Sequence, residues 1–306
     1  SVIGAIMEHV EPAGIHSGDS ASVIPPMTLS RELQDKVRVY AAKLAAELHV
    51  VGLMNIQFAV KDNEIYIIEV NPRASRTVPF VSKAIGVPLA GLAARCMTGS
   101  TLDELGFTRE ARIPYTAIKQ AVFPFVKFPG VDIMLSPEMK STGEVMGIDR
   151  ERGLAYLKSQ LAAGSKLPEK GNVFISLKDE DKPKAVELVR ELVKLGFVIY
   201  ATRGTATLLW DNGIRCNAIF RISQARPNLL DLIRDKAVHW IVNTAESGAE
   251  AMADEIQMRS KAVVVGVPIT TTLAGFVAAV EGIRDKSEFG RLEVCSLQEY
   301  HRHVRH

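Results

Sequence analysis

Five residues close together in this sequence could do chemistry as a group: Gln57, Glu69, Asn71, Arg73 and Arg76. Glu69 and Asn71 are two apart, so in a strand they project from one face. Apolar runs over residues 53–60 and 64–70 flank a turn at Lys61-Asp62-Asn63. That predicts a hairpin centred near Asn63, with Gln57 roughly opposite Glu69. One carboxylate and two amide oxygens at a strand end are hard donors. They suit Mg²⁺ carried in with a nucleotide, where metal bridges and neutralises the phosphates. Pro72 ends the strand, and the guanidinium forks of Arg73 and Arg76 suit a carboxylate or a transferring phosphoryl group. An exposed edge hairpin would also show Glu-x-Asn-Pro; Gln57 in register and two arginines behind favour the functional reading.

Two further stretches have the makings of anion sites. In the loop from Gly14 to Ser20 the backbone amides are candidates to cradle phosphate, His16 to hydrogen-bond an anion and Asp19 to hold a cation, although an ordinary capped turn has the same composition. Further on, an apolar run over residues 197–201 leads into Thr202-Arg203-Gly204-Thr205 and then a helix. A strand, a glycine turn and a helix N-terminus offer free amides and a favourable dipole to a phosphate. Thr202 and Thr205 add hydroxyls, Lys182 and Arg221 add charge, and Asn243 and Thr244 end another predicted parallel strand.

The elements that must position these groups are legible in outline. The chain opens as a strand over residues 1–8, without an initiator Met, which reads as the continuation of something upstream. Ser30 caps a helix carrying Leu33, Val37, Tyr40, Ala41, Leu44 and Leu48 at helical spacing. Pro88 opens a helix to about Met97, closed by Gly99. Residues 153–171 turn small and polar, which places a boundary near residue 165 and divides the chain into 1–164 and 165–306. Beyond it, strands over residues 173–177, 197–201, 238–242 and 262–267 alternate with helices over 183–195, from about 205 to Gly213, 228–235 and 273–283. This predicts a doubly wound, mostly parallel sheet.

Bulk properties exclude several classes. The 306 residues carry a net charge of +2, with 47% hydrophobic and 24% charged residues, which gives no reason to expect nucleic acid or a membrane as partner. The basic tail His301-Arg302-His303-Val304-Arg305-His306 reads as a solvated end. Cys96, Cys216 and Cys295 lie far apart in apolar runs, as buried thiols of a reducing cytosol do, so the expected location is cytoplasmic. No run of about twenty apolar residues offers a membrane span.

The series Met7-Glu8-His9-Val10-Glu11, His16-Ser17-Gly18-Asp19-Ser20, Gly52-Leu53-Met54-Asn55-Ile56-Gln57-Phe58 and Glu69-Val70-Asn71-Pro72-Arg73 resembles the large subunit of carbamoyl-phosphate synthetase, in its second ATP-grasp unit. Phe128-Pro129-Gly130-Val131-Asp132 and the run from Pro137 to Gly147 extend the likeness. The half after residue 165 resembles the methylglyoxal-synthase-like regulatory domain that closes the same subunit. The fold this implies is α/β: a partial ATP-grasp segment, α+β, then a Rossmann-like domain.

The resemblance implies ATP-dependent phosphorylation of carbamate. Gln57, Glu69 and Asn71 would ligate Mg²⁺ (or Mn²⁺), Arg73 and Arg76 would stabilise carbamate and the phosphoryl group, and Gly14, Ile15, His16 and Ser17 would line the nucleotide site. It implies a nucleoside monophosphate such as UMP or IMP at Ser176, Lys182, Thr202, Thr205, Arg221, Asn243 and Thr244. Arg221 stands where the family often has Lys, and Ala245 where it often has Thr. Residues 222–227 lack the Asp that serves methylglyoxal synthases as base, so regulation is expected there and not catalysis. An ornithine site matches at Glu11, Asp19 and Thr271 but departs at Gln120 and Ile269, which should weaken it. Expected partners are a glutaminase small subunit, an upstream part of the large subunit, and further copies in an oligomer. The alternatives are another ATP-grasp ligase, of carboxylase or purine-pathway type, and a regulatory nucleotide-binding protein without catalysis.

Overall fold

The computed structural model describes residues 1–128, 133–244 and 249–304. Pro129 to Asp132, Ala245 and the last two residues of the basic tail therefore lie outside the described residues. The expected opening strand is shorter than predicted: residues 1–7 are not in a sheet, and β1 (Glu8–His9) pairs antiparallel with β2 (Ser22–Ile24). α1 (Arg31–Glu47) starts where Ser30 Oγ accepts the Leu33 amide at 3.3 Å and buries Leu33, Val37 and Ala41.

The hairpin of β3 (Asn55–Lys61) and β4 (Glu64–Asn71) closes through Asp62 and Asn63, with φ of 52° and 62°. Two successive left-handed residues make the tight two-residue connection whose twist suits flanking strands. α2 (Thr77–Ile85) stops at Gly86, φ 73°, and α3 (Leu89–Met97) follows. Both lay apolar faces into a core with Ile24, Phe107 and Ala117. No single helix among the described residues is long and apolar enough to cross a membrane; α2 and α3 together reach the length but bend by 111°.

β5 (Thr116–Val122) and β6 (Gly143–Asp149) complete an antiparallel sheet of order β1-β2-β5-β6. The stretch expected to be a polar boundary opens instead with α4 (Arg152–Ala162), whose Leu154, Ala155, Tyr156 and Leu157 are buried. The apolar positions recur at helical spacing and need a cover on each side, which the sheet and a later helix supply.

The second half forms a fully parallel sheet, order β11-β10-β7-β8-β9, as expected in kind. Its elements are β7 (Gly171–Ser176), α5 (Lys182–Lys194), β8 (Phe197–Thr202), α6 (Arg203–Asp211), β9 (Asn217–Ile219), α7 (Leu229–Arg234), β10 (Trp240–Asn243), α8 (Ala249–Val265), β11 (Ile269–Thr270) and α9 (Leu273–Phe289). Val173 and Ile175 bury on one face of β7 and Phe174 on the other, so both faces are covered. The chain winds outward from β7 to β9, then returns beside β7 as β10; that reversal is where such sheets take ligands. One expectation fails. The run 262–267, rich in Val, is not a strand but the end of α8: Met258 and Ala262 face Phe174 and Ile241, and the true edge strand begins at Ile269.

α4 ties the halves together. It packs against β5, β6 and α9, and one buried cluster runs from Val10, Val23 and Ile118 through Tyr156 to Val173 and Phe276. The contacts are backbone-close: a Cβ on Gly147 would sit 2.0 Å from Ala155 O, and one on Gly153 would sit 2.3 Å from Asp285 Oδ2 and 2.7 Å from Glu281 O. The Gly153 amide donates to that same Asp285 carboxylate at 3.1 Å. Gly153→Ala should therefore lower stability in urea unfolding by ~2 kcal/mol through overpacking. Gly91→Ala, in α3, where an added Cβ would meet its nearest neighbour only at 4.0 Å, should raise stability. The gain expected is ~0.5 kcal/mol.

Candidate functional site

The hairpin achieves its pairing by a bulge. From the turn, Lys61 pairs with Glu64 and Phe58 with Ile67; Ile68 is then passed over, and Gln57 faces Glu69. Without that extra residue Gln57 would oppose Ile68, and the carboxylate would stand on the other face. The shifted register also sets Asn55 opposite Asn71, so four polar side chains, Asn55, Gln57, Glu69 and Asn71, occupy one face. Asn55 is missing from the residues singled out by sequence, although it stands two residues before Gln57 and shares its strand face.

This face forms one wall of a cavity of about 1550 Å³ that also takes in His16, Ser17, Gly18, Arg73, Ser75, Arg76 and Glu144. His16 and Ser17 thus meet Gln57 and the stretch Glu69 to Arg76, while Gly14 and Ile15 of the expected set do not line the cavity. Arg73 donates to Asn71 Oδ1 at 3.2 Å and to Ala74 O at 2.9 Å. Arg76 donates to Ser141 Oγ at 3.3 Å, beside Met139 Sδ at 3.0 Å. Among the described residues no three or more His, Cys, Asp or Glu side chains gather as a metal site. The donor set here is different: one carboxylate with amide oxygens is too weakly charged to hold a divalent cation alone, and fits one whose remaining ligands are phosphate oxygens.

The loop at Gly14, φ 106°, corrects part of the expectation. The His16 amide donates to Ser136 O at 2.9 Å, the Gly18 amide to His16 Nδ1 at 3.0 Å, and the Asp19 and Ser20 amides to His16 O. Those amides are engaged within the protein and do not form a phosphate cradle. Because Nδ1 accepts, the imidazole proton resides on Nε2, which makes His16 a donor. Asp19 is buried and each of its oxygens takes an amide, from Lys140 at 2.7 Å and Ser141 at 2.9 Å, so that it anchors the loop.

Beneath the loop lies a set of buried charges that the sequence did not announce. Lys119, fully buried in the middle of β5, donates to Ser17 O at 3.1 Å and lies 3.8 Å from Glu144 Oε1. Burial holds the Lys119 ammonium below its ordinary range, with Glu144 the chief opposing charge. Burial also raises the Glu144 carboxyl, against the pull of Lys119 and Arg76. Glu11 accepts the Ala21 amide at 2.6 Å and is pushed up to about 7 by burial, while burial and then Lys119 bring His9 down to about 4. Of the other expected ornithine positions, Gln120 accepts from Gln160 of α4 at 2.9 Å and Ile269 lies on β11.

In the parallel sheet Asn243, Ser176 and Thr202 stand at the ends of the adjacent strands β10, β7 and β8. Ser176, Thr202 and Arg221 line a cavity of about 40 Å³ with Phe220, Asp254 and Glu255. Lys182 is paired with Asp179 and approaches Gly204. Thr205 Oγ1, Thr202 Oγ1 and Ser176 Oγ form a chain of 3.4 Å contacts. The remaining two predicted residues face inward: Asn243 is held by Arg259 at 3.1 Å and Glu255 at 3.3 Å, and Thr244 Oγ1 accepts the Lys178 amide at 3.0 Å. They brace the strand end and do not line the cavity. Arg203 stacks on Phe220 with its guanidinium carbon 4.2 Å from the ring centre.

Two family models match this protein: the carbamoyl-phosphate synthase L chain, ATP binding domain, over residues 2–105, and the MGS-like domain over residues 184–271. The first segment contains the hairpin and the loop; the second contains Thr202, Thr205, Arg221, Asn243 and Thr244 of the parallel-sheet site, with Ser176 and Lys182 just before it. A carbamoyl phosphate synthase large chain of Archaeoglobus fulgidus is 53% identical over 98% of this protein's residues and 28% of its own length. The C-terminal section of the corresponding large chain in Methanocaldococcus jannaschii is 52% identical over 97% of these residues and 50% of its own. The same section in Aquifex aeolicus is 48% identical over 97% and 59%. A biotin carboxylase domain of a single-chain bacterial carboxylase aligns at 20% identity over 46% of these residues and 39% of its own, with a TM-score of 0.37, too slight a likeness to bear on the site. The fold and sites define an ATP-grasp segment followed by an MGS-like domain. Residues 1–306 belong with the C-terminal part of the carbamoyl phosphate synthase large chains, and span between 28% and 59% of those relatives' length.

The raised Glu11 carboxyl has a measurable consequence. Its folded value of about 7 lies above the unfolded one, so the folded state prefers the protonated form. The raised value adds no pH-dependent cost below the unfolded pKa and an increasing one as pH rises to about 7. Glu11→Gln, which keeps an oxygen for the Ala21 amide, should gain on the parent by on the order of 2 kcal/mol between about pH 4.5 and about pH 8. Urea unfolding across that range checks it.

Proposed function

We propose that the large cavity is the site at which a carbamoyl-phosphate synthetase large chain phosphorylates carbamate from ATP, and that the parallel-sheet site binds a nucleoside monophosphate that regulates it. The observation that carries the first part is the bulged register, which turns Gln57, Glu69 and Asn71 to one face beside Arg73 and Arg76. A binding module without chemistry has no use for that combination.

The protein's own residues suit phosphoryl transfer by positioning. The acceptor is already an anion, so no proton is abstracted: its oxygen attacks the γ-phosphorus as the bond to the bridging oxygen breaks and ADP leaves. Arg76, fixed by Ser141, offers a fork to the acceptor carboxylate, and Arg73, fixed by Asn71, meets the equatorial oxygens. His16 Nε2 gives a neutral donor in the same cavity. Gln57, Glu69 and Asn71 would hold Mg²⁺ or Mn²⁺, which when bound neutralises phosphate charge. No protein nucleophile is needed.

On this reading the protein works with an upstream part of the large subunit and a glutaminase small subunit that supplies ammonia, in the cytoplasm, serving pyrimidine and arginine synthesis. Residues 1–306 alone should not form carbamoyl phosphate. In the complete large subunit, Glu69→Gln should lower ATP-dependent carbamoyl phosphate formation on the order of 10²-fold, since a charge-stabilising group is lost from the transition state. Retention of full activity by Glu69→Gln would sink the assignment.

The regulatory reading rests on Ser176, Thr202 and Arg221 converging where the parallel sheet reverses direction. Calorimetric titration with UMP, beside IMP, should show saturable heat that Arg221→Glu abolishes. No heat from either nucleotide in folded protein would leave the ATP-grasp assignment standing without the regulatory one.

A further inference from the structure

The parallel-sheet site is narrower than its proposed ligand. The cavity that Ser176, Thr202 and Arg221 line has about 40 Å³ of free space, room for a few waters. A pocket that encloses a nucleotide-sized molecule needs at least about 300 Å³. Two walls leave the space narrow. The loop after β9 brings Phe220, Arg221 and Ile222, and α8 brings Asp254, Glu255 and Met258. A direct tie crosses between them: the Ser223 amide and its Oγ both donate to Asp254 Oδ2, at 3.0 and 2.8 Å. Hydrogen bonds to an ionised oxygen are the stronger kind, and two on one oxygen fix the loop against the helix. Of the two walls, α8 is the braced one. Its Glu255 accepts from Arg259 at 3.1 Å and from Asn243 at 3.3 Å, in a buried network with the end of β10. The loop lies outside: Arg221 and residues 223–226 are exposed, and the chain turns on itself there, with the Gln224 amide donating to Arg221 O at 3.1 Å.

Resting on the reading of this site as a nucleotide site, we propose that Ser223 and Asp254 form a latch that shuts the effector pocket in the empty protein. A nucleoside monophosphate enters when the loop of residues 221–226 parts from α8. Opening withdraws Ile222, the residue next to Ser223, from the apolar end of the cavity beside Phe174 and Met258. Only the unlatched fraction takes the ligand, so the apparent Kd rises as that fraction falls. The latch sets the effector concentration at which the site fills.

Calorimetric titration of the 306-residue protein with UMP, beside IMP, tests it. Ser223→Ala removes the hydroxyl bond and leaves Ser176, Thr202 and Arg221 in place. Its Kd for UMP should fall about three- to tenfold below the parent's, with faster association in stopped flow. Heat that appears in Ser223→Ala and not in the parent supports the latch as well. A Kd equal to the parent's, or higher, overturns it. The double variant Ser223→Cys with Asp254→Cys decides the matter if the alanine variant fails to fold. Oxidised to a disulfide across the two walls, it should lose UMP binding, and reduction should restore it. Equal binding by the oxidised and reduced forms overturns the proposal. Absence of heat with either nucleotide in the parent, in Ser223→Ala and in the reduced double variant alike overturns the effector assignment itself. That result is distinct from saturable heat that the latch variants fail to move.

Discussion

Everything in this fold is arranged around the close seating of α4. The helix is held on one side by the sheet, where Gly147 lets Ala155 O approach, and on the other by α9, where Gly153 and Gly282 bring two backbones together. No side chain larger than hydrogen fits at those crossings. In the register of β5 and β6, Gly147 pairs with Ile118, while Lys119 and Glu144 stand on the alternate positions and so leave the opposite face. The height at which α4 sits therefore fixes where the sheet lies, and with it the cavity floor. The same helix supplies Gln160 to Gln120 and Tyr156 to the cluster shared with Val173 and Phe276. Site and second half are joined by one packed element and not by a tether.

Much of the site was legible because it is local. The turn Asp62-Asn63 announces its hairpin, Pro72 announces the strand end, and Glu69 and Asn71 share a face by strand geometry alone. What could not be read was the bulge at Ile68, since either register places apolar and polar residues acceptably and only the three-dimensional pairing chooses. The loop at Gly14 misled in the opposite direction. Its composition suits a phosphate cradle, yet its amides close on His16 and on Ser136, a partner distant in the sequence. In the parallel sheet the strand ends were placed well, but Asn243 turned inward because Arg259 and Glu255, on the helix that follows β10, claim its amide.

The misread run at 262–267 shows the same limit from the side of secondary structure. Consecutive valines favour strands by side-chain stiffness, but that preference is weak beside the burial of Met258 and Ala262 against Phe174 and Ile241. Gly266, φ 76°, then ends the helix and releases the chain into β11. Lys119 was invisible for a related reason: a lone lysine in an apolar strand reads as an edge position until the opposing Glu144 and the carbonyl of Ser17 are seen around it.

The seating of α4 has a consequence for how the protein must be made. Synthesis delivers residues 152–162 long before residues 273–289, so the helix leaves the ribosome with one flank covered and the other bare. The first half can collapse onto its sheet early, but the groove of Gly153 stays open until α9 arrives. Completion of that packing waits for α9, and a nascent polypeptide that stalls before α9 presents a sticky apolar flank to chaperones and proteases.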